Sequence, residues 1–296
     1  LMFKKVFSIF GLFFCGVSFS QSYSISSPDK RIQLEFVHTP AGQPTYNLKY
    51  QQQSVVFLGT LGFLMNEDKG FVRSLNLVSV DSSYTDNSWE PVWGEEKSIR
   101  NNYKQLSVTL QQKDDKKLLL RIVFRVFDKG LGFRYEFPQQ PNLQYFVLKD
   151  ELTQFVLNGD HKAWWIPGDY DTNEYPYTVS KLSEVDAFKA GNATEISTRK
   201  VFAAKAVQTP LMMKTNKGLY INIHEAALVN YPAMQLEVET GTSVGTILKS
   251  HLVPDAVGNK AYLKAPFNTP WRVINVGNKA TDILASRIIL NLNEPT

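Results

Sequence analysis

The chain has 296 residues, of which 43% are hydrophobic and 12% aromatic, and its formal net charge is +4 at pH 7. Lys4 and Lys5 lie in a segment that reads as a removable leader, and subtracting them from the 32 Lys and Arg residues leaves 30 basic against 28 acidic side chains. A mature chain so close to neutrality gives no electrostatic argument for binding nucleic acid or an anionic membrane surface.

Residues 1–21 have the pattern of a secretory signal peptide. Two lysines precede the apolar run VFSIFGLFFCGVSF, which suits a signal h-region and is shorter than the roughly 20 residues of a membrane-spanning helix. The alternative is a buried N-terminal helix. The only cysteine, Cys15, lies in this segment, so the mature chain 22–296 is predicted to carry no disulfide and no thiolate site. We therefore expect an exported protein, in the periplasm or at the cell surface of a Gram-negative bacterium.

Strand signals dominate the chain after the leader. Helix signals are confined to residues 187–190 and 279–286, and turn-like segments separate the remaining runs. This pattern predicts an all-β fold, a β-sandwich or a two-sheet supersandwich, in one domain over residues 22–296. The runs with alternating or β-rich character are residues 32–37, 46–50, 55–57, 75–80, 106–111, 118–127, 132–137, 155–157, 218–224, 235–239, 247–252, 271–276 and 288–292.

Two aromatic segments are candidates for contacts with sugars. Trp93 and Glu95 lie in the stretch WEPVWGE, and Trp164, Glu174 and Tyr175 lie in the stretch from WWIPGDY to EYPY. Pyranose rings stack on aromatic faces while their hydroxyls donate to carboxylates, and Pro and Gly make both stretches irregular, as ligand sites often are. The alternative is that these aromatic side chains fill the core or close one end of the sandwich.

A third candidate is Glu225, at the end of the strand-like run 218–224. If the strand continues through His224 and Glu225, the two side chains point to opposite faces and cannot act together as an acid–base pair. Glu225 alone would be an oxygen ligand, a substrate contact, or a carboxylate paired with an Arg or Lys. Phosphate-binding, zinc-protease and serine-hydrolase motifs do not occur in the sequence, and we predict no catalytic residue in this chain.

Taken together and in order, these motifs resemble the N-terminal domain of glycoside hydrolase family 97, whose members include exported α-glucosidases and α-galactosidases of Bacteroidetes. The segments that carry the resemblance are Trp93-Gly94-Glu95, Arg134-Tyr135-Glu136-Phe137, Trp164 with Pro167, Glu174-Tyr175, Thr209-Pro210, Ile223-His224-Glu225-Ala226-Ala227-Leu228, Thr269-Pro270-Trp271-Arg272 and Leu292-Asn293-Glu294-Pro295.

The resemblance implies a β-supersandwich similar to galactose mutarotase, followed by a catalytic (β/α)₈ barrel that acts on α-glucosides or α-galactosides. It also implies that the domain lends one glutamate to a calcium ion in the active site of the barrel, and Glu225 is the position most like that ligand. The sequence stops at Thr296, where the linker into the barrel is expected. The expected partners are therefore the downstream barrel of the same protein and an oligosaccharide, and the chain alone is predicted to be inactive and to bind calcium weakly.

Two alternatives belong to other functional classes. A standalone carbohydrate-binding domain would use the aromatic segments directly. A mutarotase-like epimerase would need a carboxylate base opposite histidine acids on one concave sheet. The four histidines are scattered at positions 38, 161, 224 and 251, which disfavours the epimerase.

Overall fold

The computed structural model describes residues 20–66, 70–243 and 245–293. The predicted signal peptide lies outside these residues except for Ser20 and Gln21, and Gln21 begins the first strand. Within the described ranges, no helix is long and apolar enough to cross a membrane.

Strands make up most of the described chain, and three short helices and one 3₁₀ turn interrupt them. The helices are α1 (Ala187–Asn192), α2 (Ala280–Leu284) and α3 (Ile288–Leu292), and the 3₁₀ turn is Leu182–Glu184. The strands are β1 (Gln21–Ser26), β2 (Ile32–His38), β3 (Pro44–Tyr50), β4 (Gln53–Thr60), β5 (Phe63–Met65), β6 (Leu75–Trp89), β7 (Ile99–Gln112), β8 (Leu119–Phe127), β9 (Gly130–Phe137), β10 (Tyr145–Glu151), β11 (Gln154–Leu157), β12 (Lys162–Trp165), β13 (Thr178–Lys181), β14 (Ala206–Gln208), β15 (Leu211–Lys214), β16 (Tyr220–Ala226), β17 (Met234–Thr242), β18 (Gly245–Leu252), β19 (Ala261–Lys264), β20 (Phe267–Asn268) and β21 (Trp271–Gly277).

The strands form one large antiparallel sheet and three smaller ones. The large sheet has the order β13-β12-β15-β16-β21-β9-β8-β7-β6, with β20 also paired to β9. Two four-stranded sheets, β1-β2-β3-β4 and β11-β18-β17-β14, meet where β4 lies beside β11. There the Thr60 hydroxyl donates to the Leu152 carbonyl at 3.2 Å. The predicted all-β supersandwich is confirmed.

Aromatic side chains fill the space between the large sheet and the two four-stranded sheets. Phe36 on β2 lies 6.2 Å from Phe124 on β8, measured between ring centroids. Phe133 on β9 lies 5.3 Å from Tyr46 on β3 and 6.3 Å from Phe155 on β11. One ring on the large sheet therefore contacts both sheets that face it, and all five side chains are fully buried.

The third small sheet, with the order β19-β10-β5, packs against the end of β9. Phe63 on β5 contacts Tyr135 at 4.5 Å between centroids, and Phe146 on β10 contacts Phe137 at 4.8 Å. These rings belong to the same buried cluster as the interlayer core. The hydrophobic core thus joins all four sheets.

The helix predictions at 187–190 and 279–286 are confirmed by α1 and α2, but the strand predicted at 288–292 is wrong. This segment forms α3, and Ile288 and Leu292, one turn apart, are buried on the outer face of the large sheet. A run of five mostly apolar residues does not distinguish a strand from a buried helix by its periodicity. Gly132 makes room for the helix, since a Cβ atom there would lie 2.5 Å from Leu292 Cδ1.

We expect Phe133→Ala to lower the free energy of unfolding by about 3–5 kcal/mol, because it leaves a cavity where three sheets meet. Urea denaturation followed by circular dichroism measures this loss. Phe57→Ala is the matched control, since Phe57 is 46% exposed and its truncation should have little effect. Equal losses for the two variants would contradict this description of the core.

Candidate functional site

The interior contains a fully buried arginine that is held by two carboxylates. Arg272 donates from Nε and Nη2 to the two oxygens of Glu151, at 2.9 and 2.6 Å, and from Nη1 to Glu225 Oε2 at 2.7 Å. Arg272 is 0% exposed, Glu151 1% and Glu225 8%. Thr153 and Tyr231 donate their hydroxyls to the remaining acceptor positions of Glu151, at 2.8 and 2.9 Å.

Strand pairing explains why these groups meet. In the antiparallel pair β16–β21, Glu225 lies directly opposite Arg272, and Ala226 lies opposite Trp271. The two motif segments that contain His-Glu-Ala-Ala and Thr-Pro-Trp-Arg are therefore neighbours in one sheet. Glu151 comes from the end of β10, so the guanidinium ties the small third sheet to the large one.

The two carboxyl groups have different pKa shifts although they share one cation. Burial alone would raise the pKa of Glu151, but the charge and hydrogen bonds of Arg272, with the two hydroxyl donors, bring it below its usual value. Burial raises the pKa of Glu225, and Arg272 with the Met234 amide offsets this effect only in part. Glu151 is thus the carboxylate that the site stabilises best in its ionised form.

These contacts match one of the alternatives weighed for Glu225, a carboxylate paired with an arginine. They do not fit a calcium ligand within this chain, because both oxygens of Glu225 already accept from the Met234 amide, at 3.2 and 3.3 Å, and a guanidinium lies beside them. Calcium prefers six to eight oxygen ligands. No group of three or more His, Cys, Asp or Glu side chains suitable for a metal occurs among the described residues. Calcium binding by a longer protein stays a prediction.

His224 points to the opposite face from Glu225, as the alternation along the strand predicted. Its ring is partly buried, and burial lowers its pKa. The two side chains therefore cannot share a substrate. Glu151 and Glu225 are both buried beside Arg272, where a substrate does not reach them. The buried cluster therefore contains no usable acid–base pair.

The outer face of the large sheet carries Trp271, the neighbour of Arg272. The guanidinium carbon of Arg125 lies 4.7 Å from the Trp271 ring centroid, and that of Arg134 lies 4.5 Å away. Arg125 also lies 4.7 Å from the ring of Tyr103. Cation–π contacts of this kind hold the planar guanidinium groups against the aromatic rings. Arg121 and Arg125, four residues apart on β8, both lie on this outer side, where Arg121 is exposed and Arg125 is partly buried.

A groove of about 640 Å³ lies beside this face, between the β6–β7 connection and α3. Trp89 donates its indole N–H to Asn291 at 2.8 Å, which attaches the connection to the helix. Val92 and Trp93 are 88% and 87% exposed at its edge. Glu95 is exposed in the same connection. The predicted sugar-contact residues Trp93 and Glu95 are thus on the surface rather than in the core.

The second aromatic segment is organised by a buried aspartate. Asp169 Oδ1 accepts from the amides of Asp171 and Thr172 at 2.8 and 3.1 Å, and Oδ2 accepts from the Tyr175 hydroxyl and the Lys200 amide at 2.8 and 2.6 Å. Burial and this contact raise the pKa of Tyr175, which is 6% exposed. Its packing leaves little exposed surface in this chain, and the substrate contact at Tyr175 stays a prediction.

Trp164 and Glu174 remain accessible, but far from Trp93. Trp164 is half-buried on β12, with the Lys162 ammonium 5.3 Å from its ring, and Glu174 is exposed. Seven strand-to-strand steps separate β12 from β6, which corresponds to about 33 Å along the sheet. The two aromatic segments do not form one site in the described part of the chain.

Sequence reasoning missed the roles of Arg272, Glu151 and Asp169. Arg272 was noted only as part of a motif, and its pairing residue on β10 lies 121 positions away. No local pattern marks a charge as buried. The one available signal is that Arg272 lies near the start of the strongly apolar run 271–276, where a buried arginine requires acidic partners.

Comparisons with known proteins assign the chain to a family. The sequence profile described as Glycosyl-hydrolase 97 N-terminal matches residues 25–295. A Glycoside Hydrolase Family 97 enzyme from Pseudoalteromonas sp. strain K8, in complex with panose, is 32% identical, with a TM-score of 0.80 over 93% of this chain and 38% of that chain. The same enzyme in complex with acarbose is 31% identical, with a TM-score of 0.79 and the same coverage. A β-arabinopyranosidase shares the fold, with a TM-score of 0.75 at 18% identity, over 93% of this chain and 43% of that chain. The chain therefore spans less than half the length of each of these structures.

The unequal pKa shifts predict unequal effects of removing each carboxylate charge. Glu151→Gln should cost about 3–5 kcal/mol of unfolding free energy, because it leaves the buried guanidinium without its two-oxygen partner. Glu225→Gln should cost about 1 kcal/mol, since burial already disfavours its charge. Urea denaturation at neutral pH measures both. An equal or larger loss for Glu225→Gln would contradict the assignment of Glu151 as the main counter-ion.

Proposed function

Since the chain belongs to the N-terminal domain family of glycoside hydrolase family 97, we propose that it is the accessory β-domain of a larger, exported glycoside hydrolase. Its role is to pack on a catalytic barrel in the same protein and to form one wall of the substrate pocket. The observation that carries the proposal is the coverage: 93% of this chain corresponds to only 38% of the related enzyme. The absence of an accessible acid–base pair around Glu151 and Glu225 supports it.

The docking surface that fits this role is the groove at Trp89–Trp93 together with α3. The last described residue, Asn293, lines this groove, and its side-chain oxygen accepts from the Ala227 amide at 2.8 Å. Val92 and Trp93 expose apolar surface there, and so does Leu290, which is 45% exposed. Exposed apolar groups that cluster at one place are typical of an interaction surface.

The substrate class that we propose is an α-glucoside. The 32%-identical enzyme is known in complex with panose, an α-linked glucose oligosaccharide, and with acarbose. Within this chain, Trp93, Glu95, Trp164 and Glu174 keep accessible side chains. Of these four side chains, the ones that face the barrel would contribute to the wall of the pocket. The bond-breaking carboxylates belong to the barrel.

The docking proposal is tested by reading the coding sequence beyond Thr296, expressing the longer product and comparing hydrogen exchange with that of this chain. Peptides around Val92–Trp93 and Leu290 should exchange more slowly in the longer protein. Peptides around Tyr84, which is 58% exposed and lies outside the groove, serve as the internal control. The variant V92D/W93D should remove the protection without unfolding the chain, because both side chains are exposed. Equal exchange in the two proteins would refute this docking surface.

For the chain alone, we expect no turnover of p-nitrophenyl α-glucoside, with or without added calcium. We also expect its melting temperature to be unchanged by calcium chloride, since ligands that bind the native state raise that temperature. A colorimetric assay and a calcium titration monitored by thermal melting test these expectations, with magnesium chloride as the control salt. Measurable turnover, or a rise in melting temperature specific to calcium, would contradict them.

A further inference from the structure

We propose that the exposed face of the three-stranded sheet β5–β10–β19 is a second carbohydrate-binding site, which takes a neutral pyranose oligosaccharide. The face bears two exposed tyrosines, Tyr145 and Tyr262, beside a cleft of about 530 Å³. We call these two residues the tyrosine platform. The cleft shares no lining residue with the groove at Trp89–Trp93, so the platform is separate from the proposed docking surface.

The strand register places both rings on one side of the sheet. Tyr145 lies opposite Lys264, and Val147 lies opposite Tyr262, so the two tyrosines are diagonal neighbours on adjacent strands. Diagonal pairs of this kind are about 7–8 Å apart, a distance that lets two rings support successive parts of one oligosaccharide. Tyr145 is 74% exposed and Tyr262 64%, whereas Phe146 and Leu263 between them point into the core.

Hydrogen bonds hold the ring of Tyr262 in place. Its hydroxyl donates to Asp255 Oδ2 at 2.8 Å and accepts from the Asn259 side-chain amide at 2.6 Å. Asp255 is anchored in turn, because its Oδ1 accepts from the backbone amides of Val257 and Asn259 at 3.0 and 2.8 Å. A large aromatic ring that is exposed and already ordered loses little conformational entropy on binding a ligand. An exposed ring contributes little to folding, so its rigid support points to a binding role.

The Tyr145 ring is contacted by one lysine and is otherwise largely exposed. The Lys264 ammonium lies over this ring, 5.5 Å from its centroid, which orients the side chain by a cation–π contact. The amide side chains of Asn66 and Asn142 line the same cleft. Aromatic faces for the C–H surface of a sugar, with amides in reach of its hydroxyls, are the combination that an uncharged polyol requires.

The composition of the cleft favours an oligosaccharide over a protein partner. A stable protein interface buries about 800 Å² per partner around a mainly apolar centre. Here the two tyrosine rings are the most exposed large hydrophobic side chains among the described residues of the lining, and polar side chains stand beside them. Among the described residues of the lining, the charged side chains are those of Lys116 and Lys264. An acidic polysaccharide held by charge alone is therefore the competing ligand that the experiment has to separate.

Affinity electrophoresis of the chain in native gels tests the proposal. The gels contain a neutral polysaccharide (amylopectin, pullulan or galactomannan) or an acidic one (alginate), and a gel without polysaccharide is the reference. We expect at least one neutral polysaccharide to slow the chain, and Y145A/Y262A to weaken that binding about tenfold or more. Tyr84→Ala is the matched control, because Tyr84 is a similarly exposed tyrosine on β6 and should leave the retardation unchanged.

Three results would overturn the proposal. The first is equal mobility of the unaltered chain in every gel with a neutral polysaccharide. The second is undiminished retardation of Y145A/Y262A, with circular dichroism showing that the variant is folded. The third is retardation by an acidic polysaccharide only, abolished by high salt, which would identify simple charge attraction. These measurements need neither a catalytic barrel nor the groove at Trp89–Trp93. Their outcome is therefore independent of the docking experiment.

Discussion

The structure depends on one constraint: a guanidinium in its interior that must be neutralised. Removing Arg272 from water is costly, and the cost is offset only if its donors meet well-placed carboxylates. The chain supplies Glu225 from the neighbouring strand β16 and Glu151 from the end of β10 in another sheet. Since a misplaced partner would leave a charge buried without compensation, this cluster selects one arrangement of the third sheet against the large one.

The same strand connects that interior cluster to the outer surface. Trp271 and Arg272 are consecutive, so one faces the C-terminal helices and the other faces the core. On the outer side, Arg125 and Arg134 flank the indole, and α3 packs over Gly132 nearby. A rigid interior thus positions the surface to which we assign domain docking. In this arrangement the motif segments that contain Glu225 and Arg272 form a buried charge cluster within this chain, and the catalytic chemistry is proposed for a separate barrel.

Aromatic residues have three distinct roles that composition alone does not separate. Phe133 and its neighbours fill the core, Trp89 and Trp93 line the groove beside α3, and Tyr145 with Tyr262 forms the platform on the third sheet. Burial, hydrogen bonding and strand register distinguish these roles. An exposed ring with an ordered hydroxyl, such as Tyr262, differs physically from a buried one such as Tyr175, although both hydroxyls donate to an aspartate.

The sequence by itself determined the all-β class, most of the interior strands, two helices and the family, because alternation and motif order are local properties of the chain. It also placed His224 and Glu225 on opposite faces, since strand periodicity alone decides that. It did not reveal the helix at 288–292 or short strands such as β12 and β19, which are stabilised by the strands beside them. Only the tertiary structure decided that Glu225 pairs with Arg272, that Asp169 takes the Tyr175 hydroxyl, and that Trp93 and Trp164 lie far apart. The energy of a buried charge or hydrogen bond depends on partners brought together from distant positions, and no local pattern encodes that geometry.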